Sequence, residues 1–145
     1  MVINVKLTIF NLIVSLLLIP VNSSTPVTFQ GKSYIVMEAS NQIVLEGSNE
    51  DYIQSVASIS KIMTCIIAIE NMDLDTMITV DDTINQAWGS GIYIHIGDKI
   101  SLRDLLYGLM LRSGNDAAVM IAKAVGKEVN KFVDMMNNKA KQLQL

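Results

Sequence analysis

The rhythm of apolar residues changes along this chain. Leu7 to Ile19 is almost continuously apolar, broken by Thr8, Asn11 and Ser15, and Pro20 closes it. Ser33 to Met37 and Ile43 to Leu45 are short β-rich runs around the turn-prone Ser40-Asn41, a pattern that predicts a hairpin at the edge of an antiparallel sheet. A lone hairpin is marginal in water, so further strands are expected beside it. From Ala57 the period becomes helical. Ile59, Ile62, Met63, Ile66, Ile67 and Glu70 mark a buried helix, which Asn71 to Asp75 breaks.

Beyond the break, Met77 to Val80 reads as a short strand, Asp81-Asp82-Thr83 as a turn or helix start, and Trp88-Gly89-Ser90-Gly91 as a flexible loop. Ile92 to Ile96 is a second short apolar segment before the Gly97-Asp98 turn. Ser101 and Asp104 resemble a capping box with Asp in place of Glu. Leu102, Leu105, Leu106, Leu109 and Met110 then form one apolar stripe at helical spacing. Ser113-Gly114-Asn115 interrupts it. A second helix starts near Asp116, with Ala118, Ile121, Ala122 and Val125 on one face, and stops around Gly126. A third carries Phe132, Met135, Met136, Ala140 and Leu143, a methionine-rich stripe read as core. The order of elements predicts an α/β (α+β) sandwich of helices on an antiparallel sheet, incomplete at the C-terminus.

Composition narrows the class. The chain has 145 residues, 50% of them hydrophobic and 17% charged, enough for one packed domain. Its formal net charge of -3 gives no basic footprint for nucleic acid. The one cysteine, Cys65, lies in an apolar helical pattern and reads as core filler. Lys6 followed by the Leu7–Ile19 run reads as a secretory signal, because the run is too short to cross a bilayer core of about 30 Å. Cleavage is expected after Ser23, so residues 1–23 are read as signal and 24–145 as the working domain. An uncleaved anchor is the alternative, and either reading puts the domain outside the cytoplasm.

Two motifs carry chemistry. Ser58-Ile59-Ser60-Lys61 opens the first helix, and positions i and i+3 share a helical face. A serine hydroxyl becomes a competent nucleophile when a neighbouring base takes its proton. A lysine can be that base where apolar surroundings disfavour its charge, and Ile59, Ile62 and Met63 flank this one. The helix N-terminus would add a positive dipole end near the reacting carbon. Ser113-Gly114-Asn115 is the second motif. Its serine can relay a proton, and its asparagine can orient a lysine and a substrate amide together.

Ser-x-x-Lys alone is common in helices. Ala57-Ser58-Ile59-Ser60-Lys61-Ile62-Met63-Thr64, followed by Leu105-Leu106-Tyr107-Gly108-Leu109-Met110-Leu111-Arg112-Ser113-Gly114-Asn115-Asp116-Ala117-Ala118, is far more specific. Together they resemble the low-molecular-mass penicillin-binding proteins, the serine D-alanyl-D-alanine carboxypeptidases, from about Ser33 to Leu145. The resemblance implies a β-lactamase/transpeptidase-like fold. It implies that Ser58 attacks the bond between the terminal D-alanines of a peptidoglycan stem peptide, with Lys61 as general base. Ser113 would pass a proton to the leaving D-alanine, and Asn115 would hold the substrate and Lys61. β-Lactams would acylate the same serine. No cofactor and no metal ligand is implied. No Lys-Thr-Gly or Lys-Ser-Gly follows Ser113; the family carries that triad on a strand that grips the substrate carboxylate. The expectation is therefore the N-terminal part of the catalytic domain, a fragment or truncated reading frame, weakly active or inactive alone. The protein is expected in the bacterial cell envelope, with any membrane association running through the signal or a further C-terminal anchor.

Other readings compete. Ser58 and Lys61 could cap a solvated helix start, and Ser113-Gly114-Asn115 could be an ordinary turn. Gly31-Lys32-Ser33 lacks the first glycine of a P-loop, Pro26 standing in its place. Asp73, Asp75, Asp81 and Asp82 lack EF-hand spacing and read as a solvated face. His95 has no metal partner at recognisable spacing and reads as structural. A serine β-lactamase shares Ser-x-x-Lys, but Gly114 stands where its class A pattern has aspartate. A non-catalytic peptidoglycan-binding envelope protein is the remaining alternative.

Overall fold

Strand β1, Tyr34–Met37, pairs antiparallel with β2, Val44–Ser48, in the register Tyr34↔Ser48 to Met37↔Val44, with an irregularity between Val36 and Met37. Its turn is closed by Glu38 N–H on the Ile43 carbonyl and Gln42 N–H on the Glu38 carbonyl, each 2.9 Å. Asn41 Oδ1 accepts the Ile43 N–H at 2.9 Å, which is why Ser40-Asn41 reads as a turn. The Tyr34 hydroxyl donates to Glu46 across the strands. This computed structural model describes residues 29–145; the signal and cleavage site read at Lys6 to Ser23 lie outside the described residues. The hairpin belongs to a unit ending at Ile53, and Gln54–Leu145 forms a second unit. The additional strands expected beside β1 and β2 are not among the described residues, where that sheet has two strands.

In the second unit a 3₁₀ turn, Ala57–Ile59, leads into helix α1, Ser60–Asn71. Strands β3, Met77–Thr79, and β4, Lys99–Ser101, form a small antiparallel sheet with Ile78 opposite Ile100. Helices α2, Leu102–Arg112, α3, Asn115–Gly126, and α4, Val129–Leu143, follow. The start of α2 is specified locally. Ser101 accepts the Asp104 N–H at 3.1 Å and donates to the Asp104 carboxylate at 2.6 Å. The Leu102 and Arg103 N–H groups, which a helix start leaves unpaired, donate to Thr76 and Leu74 carbonyls. That ties the helix to the segment leading into β3, and Arg103 adds an ion pair to Asp75 at 2.9 Å.

The core lies between α1, α2, α3 and α4. Ile67 and Ala68 meet Leu102, Leu105 and Leu109, then Ala117, Met120, Ile121 and Phe132, with Ile78 and Val80 closing one end. Each large side chain buried here contributes about 1.5–3 kcal/mol. The apolar stripe predicted on α2 is correct except for Met110, which is 48% exposed. The buried helix predicted from Ile59 and Ile62 needs correction, because these two are 65% and 50% exposed. The core uses a neighbouring face of α1, through Thr64, Ile67 and Ala68, so that of the predicted residues Ile67 is buried and Met63 packs against the core. Strand β4 was not foreseen: Lys-Ile-Ser is too short to show a period. His95 sits exposed on the Gly97-Asp98 turn, where Asp98 accepts its N–H. The aspartates partly serve as turn caps: Asp73 accepts the Asp75 N–H and Asp81 the Thr83 N–H. Among the described residues no helix is long and apolar enough to cross a membrane.

Candidate active site

Ser58 occupies the 3₁₀ turn just ahead of α1 rather than its first α-helical turn. Ala57 before it has φ 45°, a left-handed conformation uncommon outside glycine. The turn puts Ser58 beside the positive end of α1, and Lys61 follows in the first turn of the helix. The second motif arrives differently. Helix α2 ends at Ser113, whose φ of 53° and ψ of 38° form a left-handed cap. Helix α3 starts two residues later at Asn115. The reversal brings Ser113 and Asn115 to Ser58 and Lys61.

The four predicted site residues converge. Ser58 Oγ lies 2.7 Å from Ser113 Oγ. Lys61 Nζ donates to Ser58 Oγ at 3.3 Å, to Ser113 Oγ at 3.1 Å and to Asn115 Oδ1 at 2.7 Å. One nitrogen is thus within hydrogen-bond reach of all three other site residues. Ser58 is exposed, while Lys61, Ser113 and Asn115 are half-buried. The apolar cover expected from Ile59 and Ile62 is absent, since both are exposed. The lysine is held by polar partners instead.

The loop read as flexible is pinned. Asn115 Nδ2 donates to the Trp88 carbonyl, its backbone N–H donates to the Ser90 carbonyl at 2.7 Å, and the Ser90 hydroxyl donates to the Ser113 carbonyl at 2.7 Å. Gly89, at φ 85°, supplies the backbone reversal between Trp88 and Ser90. Trp88, Ser90 and Asp116 were missed as members of the site. The signal available was the Gly-Ser-Gly spacing, which marks a backbone that must approach something closely. A cavity of about 270 Å³ lies under this loop, lined by Ile84, Trp88, Tyr93, His95 and Asp116 among others. None of Ser58, Lys61, Ser113 or Asn115 lines it. Cys65 is half-buried, and burial pushes its thiol up from the usual range.

What the constellation can do is nucleophilic acyl transfer, with a hydroxyl, a nitrogen base within reach and a second hydroxyl able to carry a proton. Among the described residues no group of three or more His, Cys, Asp or Glu side chains could hold a metal ion.

Comparison with known proteins agrees with the geometry. The family described as D-alanyl-D-alanine carboxypeptidase matches residues 20–145. The D-alanyl-D-alanine carboxypeptidase DacD of Escherichia coli is 33% identical over 135 residues, covering 85% of this chain and 34% of that protein. DacF of Bacillus subtilis is 30% identical over 121 residues, covering 80% and 31%. A crystal structure of a D-alanyl-D-alanine carboxypeptidase from Mycobacterium tuberculosis superposes with a TM-score of 0.77 at 30% identity, covering 85% of this chain and 47% of that one. The chain thus spans about a third of the length of these curated relatives. Its mixed helices and small antiparallel sheets are those of the penicillin-binding fold. With Ser58, Lys61, Ser113 and Asn115 meeting at one point of that fold, the chain belongs to the D-alanyl-D-alanine carboxypeptidase family of serine peptidases.

Proposed function

We propose that this chain carries the nucleophilic half of a serine-type D-Ala-D-Ala carboxypeptidase, acting on peptidoglycan stem peptides through an acyl-enzyme on Ser58. The observation that supports it most is the lysine at the centre: Nζ reaches Ser58, Ser113 and Asn115 at once. In the neutral amine the same position takes the Ser58 proton as Oγ attacks the carbonyl of the penultimate D-alanine. Ser113, 2.7 Å from the nucleophile, hands its proton to the departing D-alanine nitrogen and takes one in return from Lys61, 3.1 Å away, and water later releases the acyl group. Asn115 keeps Lys61 aligned and lends its amide to the substrate backbone. A positioned acid or base of this kind contributes about 10²–10⁴-fold in rate.

The substrate is a peptide ending in D-Ala-D-Ala, and β-lactams are inhibitors that acylate Ser58. The working place is the bacterial cell envelope, at the outer face of the cytoplasmic membrane or outside the cell, reached through the N-terminal signal read at residues 1–23. The test is a single-turnover reaction with a diacyl-lysyl-D-Ala-D-Ala peptide, followed by mass spectrometry. One D-alanine released per acylated Ser58 supports the reading. Hydrolysis of a chromogenic cephalosporin without an accumulating adduct would favour a β-lactamase. Binding to cell-wall sacculi by both the parent and Ser58→Ala, with no adduct in either, would favour a non-catalytic binding protein.

A further inference from the structure

Asp116 is 7% exposed, and its carboxylate touches neither Ser58 nor Lys61. Its hydrogen-bond partners among the described residues are backbone N–H groups. It accepts from Ile92 at 3.0 Å, from Tyr93 at 2.7 Å and from Ala117 at 2.8 Å. Such charge-assisted bonds are the strong ones. Two features of the loop accompany this grip. A Cβ on Gly91 would stand 2.9 Å from Asp116 Oδ2, so glycine alone lets the strand of loop pass the carboxylate. Tyr93 is held at φ 62°, a left-handed conformation that bulky side chains seldom adopt.

The same loop, a few residues back, fixes Asn115. An asparagine amide can turn end over end, offering either its oxygen or its NH₂ to a neighbour. The Trp88 carbonyl accepts from Nδ2, so Oδ1 must face Lys61, where it accepts at 2.7 Å. If the Trp88 carbonyl moves away, the amide is free to present a donor to the lysine, and the contact is lost. The chain of contacts runs from the Asp116 carboxylate through Ile92 and Tyr93 to Trp88 and Ser90, and from them to Asn115 and Lys61.

We propose that Asp116 is a positioning residue for the Ser58–Lys61 pair, acting through the Trp88–Tyr93 loop to set which end of the Asn115 amide faces Lys61. This rests on the reading of Ser58, Lys61 and Asn115 given above. Its test reads Asn115 directly and not turnover, so failure of one is distinguishable from failure of the other.

The experiment is amide hydrogen exchange by NMR on the full ¹⁵N-labelled chain and two variants. Asp116→Asn replaces an acceptor oxygen by an NH₂ that opposes the loop N–H groups. Gly91→Ala leaves the carboxylate intact and pushes the loop off it. Both are expected to speed exchange of the Asn115 backbone and side-chain amide protons by about tenfold or more, with Leu105, Leu109 and Ile121 unchanged within about twofold. The double variant should exchange no faster than either single one. Unchanged Asn115 exchange in either variant overturns the proposal. So does equal acceleration at Leu105, Leu109 and Ile121, or unfolding of both variants, since the carboxylate would then serve the core and not Asn115.

Discussion

The hydroxyls of Ser58 and Ser113 stand 2.7 Å apart, and 55 residues of chain separate them. Either can donate to the other, and Lys61 Nζ lies within 3.3 Å of both. On the proposed reading, a proton leaving Ser58 has a direct path to the lysine and an indirect one through Ser113. The backbone arranges this meeting through two left-handed residues, Ala57 at φ 45° and Ser113 at φ 53°.

The conformation of Ser113 separates its backbone role from its hydroxyl. Glycine adopts left-handed φ without strain, so Ser113→Gly should keep the thermal midpoint close to that of the parent while removing the hydroxyl. Ser113→Ala removes the same hydroxyl but keeps the strain. Both should slow acylation of Ser58 by about 10²–10⁴-fold, measured by intact-mass spectrometry. Parental rates in Ser113→Gly would remove Ser113 from the proton path.

Asp81 gives a pH signature outside the site. Hydrogen bonds from the Thr83 hydroxyl and backbone N–H hold its carboxyl below the usual carboxylate range. A carboxyl lowered on folding stabilises the native state above the unfolded pKa, and that contribution is lost as pH falls through the lowered value. Asp81→Asn should therefore be less stable than the parent at neutral pH. The gap between their urea midpoints should close below about pH 4. A gap that widens in acid contradicts the assigned hydrogen bonds.

Burial makes a contrasting pair of predictions along the helices. Phe132 is 1% exposed against the α1–α3 core, and Phe132→Ala should cost about 3–5 kcal/mol in urea unfolding. Ile62, at 50% exposure, should lose less than about 0.5 kcal/mol as Ile62→Ala. Comparable losses at the two positions would restore the fully buried α1 that the apolar pattern suggested.

The parts legible in the sequence were those written locally. Ser101 with Asp104 marks the start of α2, the leucine stripe marks its inner face, and Asn41 marks the hairpin turn. The four site residues were legible as two motifs, because a serine and a lysine one turn apart need no tertiary information to share a face. Their convergence was not, since it depends on the left-handed cap at Ser113 and on how α2 packs against α1. Strand β4 escaped notice because three residues carry no period and their pairing with β3 is non-local. Ile59 and Ile62 misled for a related reason. An apolar residue at helical spacing says which helix face it occupies, and not which face the core will use. The Trp88–Tyr93 loop looked free because its anchor, Asp116, lies more than twenty residues away and reads locally as a first-turn acid of α3.

The most direct measurement is the site and rate of acylation. The purified chain is incubated with a fluorescent penicillin, digested and mapped, beside Ser58→Ala and Lys61→Met. The account predicts a slow adduct on the Ser58 peptide, none in Ser58→Ala, and a rate about 10²–10⁴-fold lower in Lys61→Met. An adduct on another residue, or a rate at Ser58 indifferent to Lys61, would contradict it.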